Sequence, residues 1–459
     1  MKSIGHEVTQ LMHRTTDSHV RLAVTGLSRA GKTAFITSLV NQLLNSATHD
    51  NLPLLACARD RRLIGARRVP QTNLMVPRFA YDEASEKLYQ KPATWPLPTK
   101  DVSEIRLAIR YRPKSRTKRL LGSSATLYLD IIDYPGEWLL DLPLLDMDFK
   151  QWSEQQFHAL HGQRQALAKA WLDELNVIDL QQEANEQVLA DVAAQYTAYL
   201  HRCKDAGLHW VQPGRFVLPG ELAGAPVLQF FPVKHDFDPE KVVRGSFLDL
   251  LIARYKEYQQ QVVRKFYRHY FSTFDRQIVL VDCLSPLNAG FDSFMDMRSA
   301  IEQLMHSFRY GRTGLLSRLF APKIDKVLFA ATKADHVTPD QHANLVSLLQ
   351  QMVHPAWQHA AYENIEMSCI SMASVRATQA GFITHGEKKQ SAIQGTTLAG
   401  ETLTLYPGDV PAKLPDPDYW QRHQFDFTQF NPLTTDSDNP LAHIRVDKAL
   451  EILLGDKLR

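Results

Sequence analysis

Short runs of β-branched and apolar residues recur along the chain, and they predict the buried strands of a sheet. These runs are residues 20–25, 127–133, 277–284, 326–333 and 365–372. Helical patterns lie between them, and strands that alternate with helices predict a mainly parallel sheet with helices on both faces. The fold is therefore expected to be α/β.

One further strand is predicted from a different pattern. In the stretch IRLAIRY, large apolar side chains alternate with other residues at the period of a half-exposed strand, at Ile105, Leu107, Ile109 and Tyr111. We expect this strand to pair antiparallel with residues 125–133, through a turn in the basic stretch RPKSRTKR at 112–119.

Residues 150–275 do not continue the alternation of strands and helices, and their pattern predicts a large, mostly helical insertion. Two helical stripes carry the prediction, and Ser246 with Asp249 forms a capping signature before the second stripe. The predicted organisation is a first part of the α/β domain at 1–149, the insertion at 150–275, a second part of the α/β domain at 276–380, and a C-terminal hairpin or loop with a closing helix at 381–459. The stripes are Val188, Leu189, Val192, Tyr196, Tyr199, Leu200 and Cys203, then Leu251, Tyr255, Tyr258, Val262 and Phe266.

Composition narrows the class of protein. The 459 residues allow two to three domains at roughly 150 residues each. With 52 basic and 50 acidic side chains, the molecule as a whole is not expected to bind nucleic acid or membranes through its net charge. Four separated cysteines, no signal peptide and no long apolar run favour a cytoplasmic protein, with peripheral contact to the inner membrane left open.

The stretch GLSRAGKT, residues 26–33, fits the phosphate-loop pattern G-x-x-x-x-G-K-[ST]. Its glycines let backbone N–H groups point at an anion, and the helix that follows adds its positive N-terminal end. Lysine in this pattern reaches the β- and γ-phosphates, while the threonine hydroxyl binds Mg²⁺. We expect the nucleotide to contact Gly26, Ser28, Arg29, Ala30, Gly31, Lys32, Thr33 and Ala34.

A second motif ends the strand LYLDIID, which is followed by YPGEW. The carboxylate of Asp133 can hold Mg²⁺ through water. The N–H of Gly136 can donate to the γ-phosphate, because no side chain stands in the way. This D-x-x-G pattern, about 100 residues after a phosphate loop, predicts the switch segment of a nucleotide-hydrolysing enzyme.

A third motif, TKAD at 332–335, also ends a strand. Asp335 can accept hydrogen bonds from the N1–H and amino group of guanine, a donor pair that adenine lacks. The Lys333 stem can lie across the base. One strand later, in SMASV, an N–H of Ala373 or Ser374 can donate to guanine O6.

These ordered motifs resemble those of P-loop GTPases with a Ras-like domain, and LSRAGKT, DYPGEW and TKAD resemble the YcjX-like family most closely. The resemblance covers nearly the whole chain. It implies a GTPase or ATPase of the bacterial envelope stress response, whose gene often lies beside that of a membrane protein and whose effector could be that membrane protein. GTPases usually carry an asparagine at the position of Thr332, and dynamin-like proteins show a similar variation there.

Two residues are candidates for the threonine that joins the Mg²⁺ shell when the γ-phosphate is present. Thr99 lies just before the alternating strand and is preferred by position, while Thr72 is the alternative. Glu137 follows Gly136, where many GTPases carry the glutamine that orients water. A carboxylate there repels the γ-phosphate, so we expect slow hydrolysis, unless Glu137 simply points into solvent.

Arg29 is the least expected residue of the phosphate loop. A guanidinium there can neutralise the charge that develops on the β–γ bridging oxygen, as an arginine finger does. Guanylate-binding proteins resemble this chain in the position of the arginine. The alternative is an exposed arginine paired to a carboxylate of the insertion.

The sequence thus predicts a Mg²⁺-dependent protein that binds GTP and GDP and hydrolyses GTP. Lys32, Arg29, Thr99 and Glu137 are the predicted catalytic residues, and Thr33, Thr99 and Asp133 the metal ligands. The alternatives are an ATPase and a nucleotide-held scaffold with negligible turnover. A protein effector and a nucleotide-dependent dimer are the expected partners, with no nucleic acid. Two basic segments, 59–68 and 112–119, are either solvated turns or contacts for anionic lipids.

Overall fold

The central feature of the computed structural model is a seven-stranded sheet in the order β2–β3–β4–β1–β5–β6–β7. Strands β4, β1, β5, β6 and β7 pair in parallel, whereas β2, β3 and β4 pair antiparallel. The α/β prediction and the antiparallel pairing are confirmed. The strands are β1 (Ser18–Gly26), β2 (Leu63–Val69), β3 (Ser103–Tyr111), β4 (Ala125–Asp133), β5 (Arg276–Val281), β6 (Lys326–Ala331) and β7 (Glu366–Ser371). The structure describes residues 18–27, 29–98, 101–114, 123–234, 237–238, 241–307, 324–362, 365–385 and 388–459.

A second, antiparallel sheet follows along the chain in the order β10–β9–β8. Its strands are β8 (Thr378–His385), β9 (Lys388–Thr396) and β10 (Thr402–Leu405). Part of the hairpin or loop predicted for 381–459 is thus a three-stranded sheet, which begins at Thr378.

Helices cover the parallel sheet and form most of the remaining structure. The α-helices are α1 (Lys32–Asn45), α2 (Ala56–Arg59), α3 (Tyr81–Tyr89), α4 (Phe149–His158), α5 (Gly162–Leu167), α6 (Lys169–Leu175), α7 (Glu186–Asp205), α8 (Gly214–Val217), α9 (Phe247–Glu257), α10 (Arg264–His269), α11 (Leu284–Ala289), α12 (Phe291–Ser307), α13 (His342–Tyr362), α14 (Tyr419–Arg422) and α15 (Val446–Leu454). Among the described residues, no helix is both long enough and apolar enough to span a bilayer.

Two compact units divide the chain. The first draws its described residues from 1–134, 274–288 and 323–459, and the second from 135–273 and 289–322. The first unit has its main core where α1 and the closing helix α15 pack on one face of the sheet, with Leu39, Leu107 and Leu450 fully buried.

The second unit is helical and contains most of the predicted insertion. Its predicted stripes are buried except for Val188, which is 39% exposed. Ser246 caps α9 as predicted, since its hydroxyl accepts a hydrogen bond from the Asp249 N–H at 3.2 Å. Between α9 and α10 the chain forms a π-helix, Tyr258–Val263. The segment after β4, Gly136–Asp146, is a 3₁₀-helix and also belongs to this unit.

Candidate functional site

The loop between β1 and α1 carries the predicted phosphate-binding residues, and its backbone requires glycine at two positions. A Cβ atom on Gly26 would lie 2.7 Å from the carbonyl oxygen of Leu280, so no larger residue fits there. Gly31 has a φ of 84°, in the left-handed region that glycine tolerates best, and it is the N-cap residue of α1. No side chain of a described residue caps α1, and such a helix N-terminus attracts anions.

Two cations belong to this loop. Arg29 is exposed and has a φ of 62°, while Lys32 is half-buried at the first position of α1. Within the described part of the chain, neither side chain forms a hydrogen bond or an ion pair. Their positive charge is therefore not neutralised by these residues. The alternative, in which Arg29 pairs with a carboxylate of the insertion, stays a prediction.

A cavity of about 460 Å³ in the first unit brings this loop together with the predicted loops after β6 and β7, whereas Gly26, Asp133, Gly136 and Glu137 are not among its lining residues. Predicted residues that line it are Arg29, Ala30, Gly31, Lys32, Thr33, Ala34, Thr332, Lys333, Asp335, Ala373 and Ser374. Lining residues that sequence reasoning missed are Trp95, Pro96, Pro98, His336, Val375, Gln429 and Phe430. Ser28 and Thr99 lie outside the described residues, and the alternative Thr72 is exposed in the loop after β2.

The loop after β6 is fixed to the strand beside it by an ion pair. Lys333 adopts a left-handed backbone with φ of 58°, and its Nζ donates a hydrogen bond to Oδ2 of Asp282 at 2.6 Å. Asp282 is buried at the end of β5. Burial raises the pKa of this carboxyl, but the Lys333 ammonium and the Ser285 hydroxyl outweigh it and lower the pKa to about 2. Asp282 was not predicted, although it stands at a strand end like Asp133.

The Asp335 carboxylate is buried and already accepts hydrogen bonds from the protein. Oδ2 accepts from the N–H groups of Ala377 at 2.6 Å and Thr378 at 3.3 Å, and Oδ1 lies 3.2 Å from His336 Nδ1. Burial raises the pKa of Asp335, yet His336 and the N–H donors lower it below its ordinary value. The carboxylate therefore holds its own loop against the start of β8, and its contact with guanine remains a prediction.

Thr332 ties the same loop to β5. Its N–H donates to the Val281 carbonyl at 2.9 Å, and its hydroxyl lies 3.4 Å from that same oxygen. In GTPases the asparagine of this position is expected to reach the phosphate loop. Here the described contact of Thr332 stays within the sheet.

The two backbone donors predicted after β7 differ in availability. The N–H of Ala373 donates to the Ile444 carbonyl at 3.0 Å, so this donor is already used. The N–H of Ser374 has no backbone partner among the described residues. If either N–H meets guanine O6, Ser374 is the one that remains.

An aromatic wall closes one part of the cavity. The indole N–H of Trp95 donates to the Phe430 carbonyl at 2.8 Å, and the ring of Phe430 lies 5.7 Å from that of His336. Trp95 and Phe430 are 335 positions apart in the chain. No local pattern links them, so this wall could not be predicted from the sequence.

Asp133 ends β4 and is 1% exposed. It pairs in register with Val24 of β1, two residues before Gly26. Because parallel strands end at the same edge of a sheet, Asp133 and the phosphate loop lie at the same edge. An aspartate and the hydroxyl of Thr33 are hard oxygen donors, the type that Mg²⁺ prefers.

Gly136 and Glu137 begin the buried 3₁₀-helix of the second unit. The Glu137 carboxylate accepts a hydrogen bond from Lys204 Nζ at 2.8 Å. The residue is 5% exposed, so the alternative in which it simply points into solvent is wrong. A Cβ atom on Gly214 would lie 2.0 Å from the Glu137 carbonyl oxygen, which shows how closely α8 packs on this segment.

Comparisons with known proteins agree with these motifs. The profile of the "YcjX-like family, DUF463" matches residues 20–458. The chain is 52% identical to the "Ras-like GTPase YcjX" of Escherichia coli K12 over the full length of both proteins. It is 43% identical to the protein of the same name from Shewanella oneidensis, over 99% of this chain and 98% of that protein.

Proposed function

The chain belongs to the YcjX-like family, and from this premise we propose that it is a Mg²⁺-dependent GTP-binding protein that hydrolyses GTP to GDP and phosphate. One observation carries the proposal. A single cavity is lined both by the phosphate loop and by the loops that follow β6 and β7. A purine nucleotide has its charge at one end and its hydrogen-bonding base at the other, and this lining matches both ends.

The phosphates bind at the N-terminus of α1. The backbone N–H groups of the loop and the positive end of the helix dipole stabilise the anion. Lys32 contributes a charge that no described residue neutralises, so it binds the β- and γ-phosphates without first breaking an ion pair.

Thr33 and Asp133 hold the metal, directly and through water. When bound, Mg²⁺ would neutralise part of the charge of the phosphates. Thr99 and Gly136 sense the γ-phosphate, and the contact that each makes is present with GTP and absent with GDP.

The base binds between Lys333, Asp335 and the aromatic wall. A carboxylate has about four lone-pair sites, so Asp335 can accept from guanine while it keeps its bonds to Ala377 and Thr378. The N–H of Ser374 donates to guanine O6. Trp95 and Phe430 exclude water from the ring, which strengthens the polar contacts that select guanine.

Hydrolysis uses Arg29 as an arginine finger built into this chain. Its guanidinium stabilises the charge that grows on the β–γ bridging oxygen during cleavage. Glu137 is held by Lys204, so it orients water only after that ion pair opens. Slow turnover follows, which suits a switch.

The proposal extends to a cytoplasmic switch in the bacterial envelope stress response. Its output passes through the second unit to a protein effector, and a nucleotide-dependent dimer covers the site of Arg29. The motif order and the family resemblance support this extension, and it implies no nucleic-acid partner.

Phosphate release tests the proposal. Purified protein with Mg²⁺ is followed for hours with GTP and, separately, with ATP, and Lys32→Ala serves as the blank. Release from GTP above the blank, with little from ATP, is the expected result. Equal release from ATP favours the ATPase alternative. This alternative has support in the structure, because the Asp335 carboxylate already accepts hydrogen bonds from the protein. Release that matches the blank with both nucleotides favours the scaffold.

A further inference from the structure

The two most exposed large apolar side chains of the described residues are adjacent. Leu74 is 87% exposed and Met75 is 90% exposed, in the loop 70–76 that follows β2. Single exposed apolar residues are common on protein surfaces. A neighbouring pair with almost no contact to the protein is a different feature, because both side chains are available to the same partner.

This loop is anchored at both ends to β3. Val69, before the loop, pairs with Arg106. After the loop, the Pro77 carbonyl accepts from the Glu104 N–H at 3.0 Å, and the Phe79 N–H donates to the Glu104 carbonyl at 2.9 Å. The sheet therefore fixes where the exposed pair is presented.

Hydrogen bonds inside the loop turn Leu74 and Met75 outward. The Gln71 amide donates to the carbonyls of Asn73 at 2.8 Å and Val76 at 2.5 Å. The Asn73 side chain accepts from the Met75 N–H at 3.1 Å. Val76, the next residue, is buried and holds the base of the loop.

Basic residues predominate near the pair, although the acidic Asp82 and Glu83 line the same surface cavity as Gln71 and Arg78. From residue 61 to residue 80 the chain has five arginines and no acidic residue. Arg68 is paired with Asp82 at 2.8 Å. Arg67 and Arg78 are exposed and form no ion pair with a described residue, so both are available to an anion.

We propose that loop 70–76 binds the surface of an anionic membrane. Leu74 and Met75 insert at the boundary between headgroups and acyl chains, and Arg67 and Arg78 contact lipid phosphates. Exposed apolar side chains beside basic ones that have no acidic partner are typical of segments that lie on membranes. The attraction falls with ionic strength, because salt screens exposed charges. This contact does not depend on the proposed nucleotide chemistry.

Flotation of the full-length protein with vesicles tests the proposal. The vesicles contain phosphatidylcholine alone, or phosphatidylcholine with one third phosphatidylglycerol. The wild type is expected to float with the anionic vesicles and to be released by added salt. The double variant Leu74→Ser/Met75→Ser should lower the partition coefficient roughly tenfold. Arg67→Gln/Arg78→Gln should lower it about fivefold for each charge removed.

Phe382→Ser is the matched control, because Phe382 is 69% exposed in β8 and lies outside the loop. It should float like the wild type. Because all these side chains are exposed, each variant should keep the wild-type melting temperature. Wild type that stays unbound with anionic vesicles overturns the proposal and points to a protein contact for the pair. Equal flotation of the Leu74→Ser/Met75→Ser variant and the wild type also overturns it.

Discussion

The two ends of the cavity that we propose for the nucleotide are arranged in opposite ways. At the phosphate loop, the side chains of Arg29 and Lys32 have no partner among the described residues. At the loop after β6, which we assign to the base, Lys333 is bound to Asp282, and the Asp335 carboxylate accepts from the N–H groups of Ala377 and Thr378. The cations at the phosphate end are available to a ligand, whereas the polar groups at the base end already form hydrogen bonds that fix the loop.

This difference has a simple physical origin. A phosphate chain is strongly charged, so nearby cations attract it without precise geometry. A base is neutral and is distinguished from other bases only by hydrogen bonds in fixed positions, which require a rigid loop. Substitutions at the phosphate end should therefore change only the binding or hydrolysis of the nucleotide. Substitutions at the base end should also affect the stability of the empty protein.

Arg29→Ala should produce the largest change. Without the guanidinium, single-turnover phosphate release from GTP is expected to slow about 10³-fold, while GDP affinity stays nearly unchanged. Because Arg29 has no described partner, the melting temperature of the empty protein should not move. Arg29→Lys, which keeps the charge but not the planar fork, should recover only part of the rate. Unchanged release in Arg29→Ala would remove this residue from the mechanism.

Asp335→Asn should alter both the affinity for the nucleotide and the stability of the empty protein. The amide loses the charge that accepts the guanine donors, so GDP affinity measured by calorimetry should fall on the order of tenfold to a hundredfold. The preference for GDP over ADP should largely vanish, and the melting temperature without ligand should fall.

Thr378→Val is the matched control, since the Thr378 hydroxyl donates to the Asp335 carbonyl and not to its carboxylate. It should lower stability without changing base preference. If Asp335→Asn instead keeps the full preference for GDP, the carboxylate is only a structural anchor.

Lys333→Met should destabilise the empty protein in a pH-dependent way. It leaves the buried Asp282 carboxylate without its ammonium partner, which should lower the free energy of unfolding by about 2 kcal/mol. Asp282 has a pKa of about 2, below its ordinary 3.8. The stabilisation is therefore present above about pH 4 and is lost as the pH falls through 2.

Urea unfolding across a pH series measures this deficit. Its size should be constant between about pH 8 and pH 5 and should shrink below about pH 4. Lys413→Met, at an exposed position, is the control and should show no deficit at any pH. A deficit that grows towards low pH would contradict the assigned ion pair.

Trp95→Phe should have the smallest effect. It removes the hydrogen bond to the Phe430 carbonyl but keeps an aromatic ring, so GDP and GTP should both bind about three- to fivefold more weakly. Trp420→Phe is a matched control, because the indole of Trp420 also donates to a carbonyl, that of Leu287, at 2.8 Å. Trp420 does not line the cavity, and its variant should bind as the wild type does. Weaker binding of GTP alone would place Trp95 at the phosphate end instead.

The parallel core of the fold was predictable because its strands are nearly continuous apolar runs. The edge strand β2, LIGARRV, could not be predicted in the same way. Its two arginines and its glycine interrupt the alternation of apolar residues, so the stretch resembles a basic surface segment. The strands β8 and β9 could be predicted only as part of a hairpin or loop, because few of their side chains are buried, among them Ile393.

The lining residues of the cavity also differ in how far the sequence predicts them. Residues of the phosphate loop and of TKAD were found because backbone geometry and ligand chemistry dictate their local spacing. Asp282, Trp95 and Phe430 were not found, because their roles depend on contacts between distant parts of the chain. The engagement of Asp335 by β8 could not be predicted either, since it depends on where the chain turns after β7.

The most direct test of the account is a melting series of the wild type with Mg²⁺ and equal concentrations of GDP or ADP. A ligand that binds only the folded state stabilises it by about 2.7 kcal/mol at a concentration of 100 Kd. GDP is expected to raise the melting temperature by several degrees and ADP to raise it little, and the Lys32→Ala variant should show no shift. A shift with ADP equal to or larger than that with GDP would contradict the guanine site, and no shift with either would contradict the nucleotide site itself.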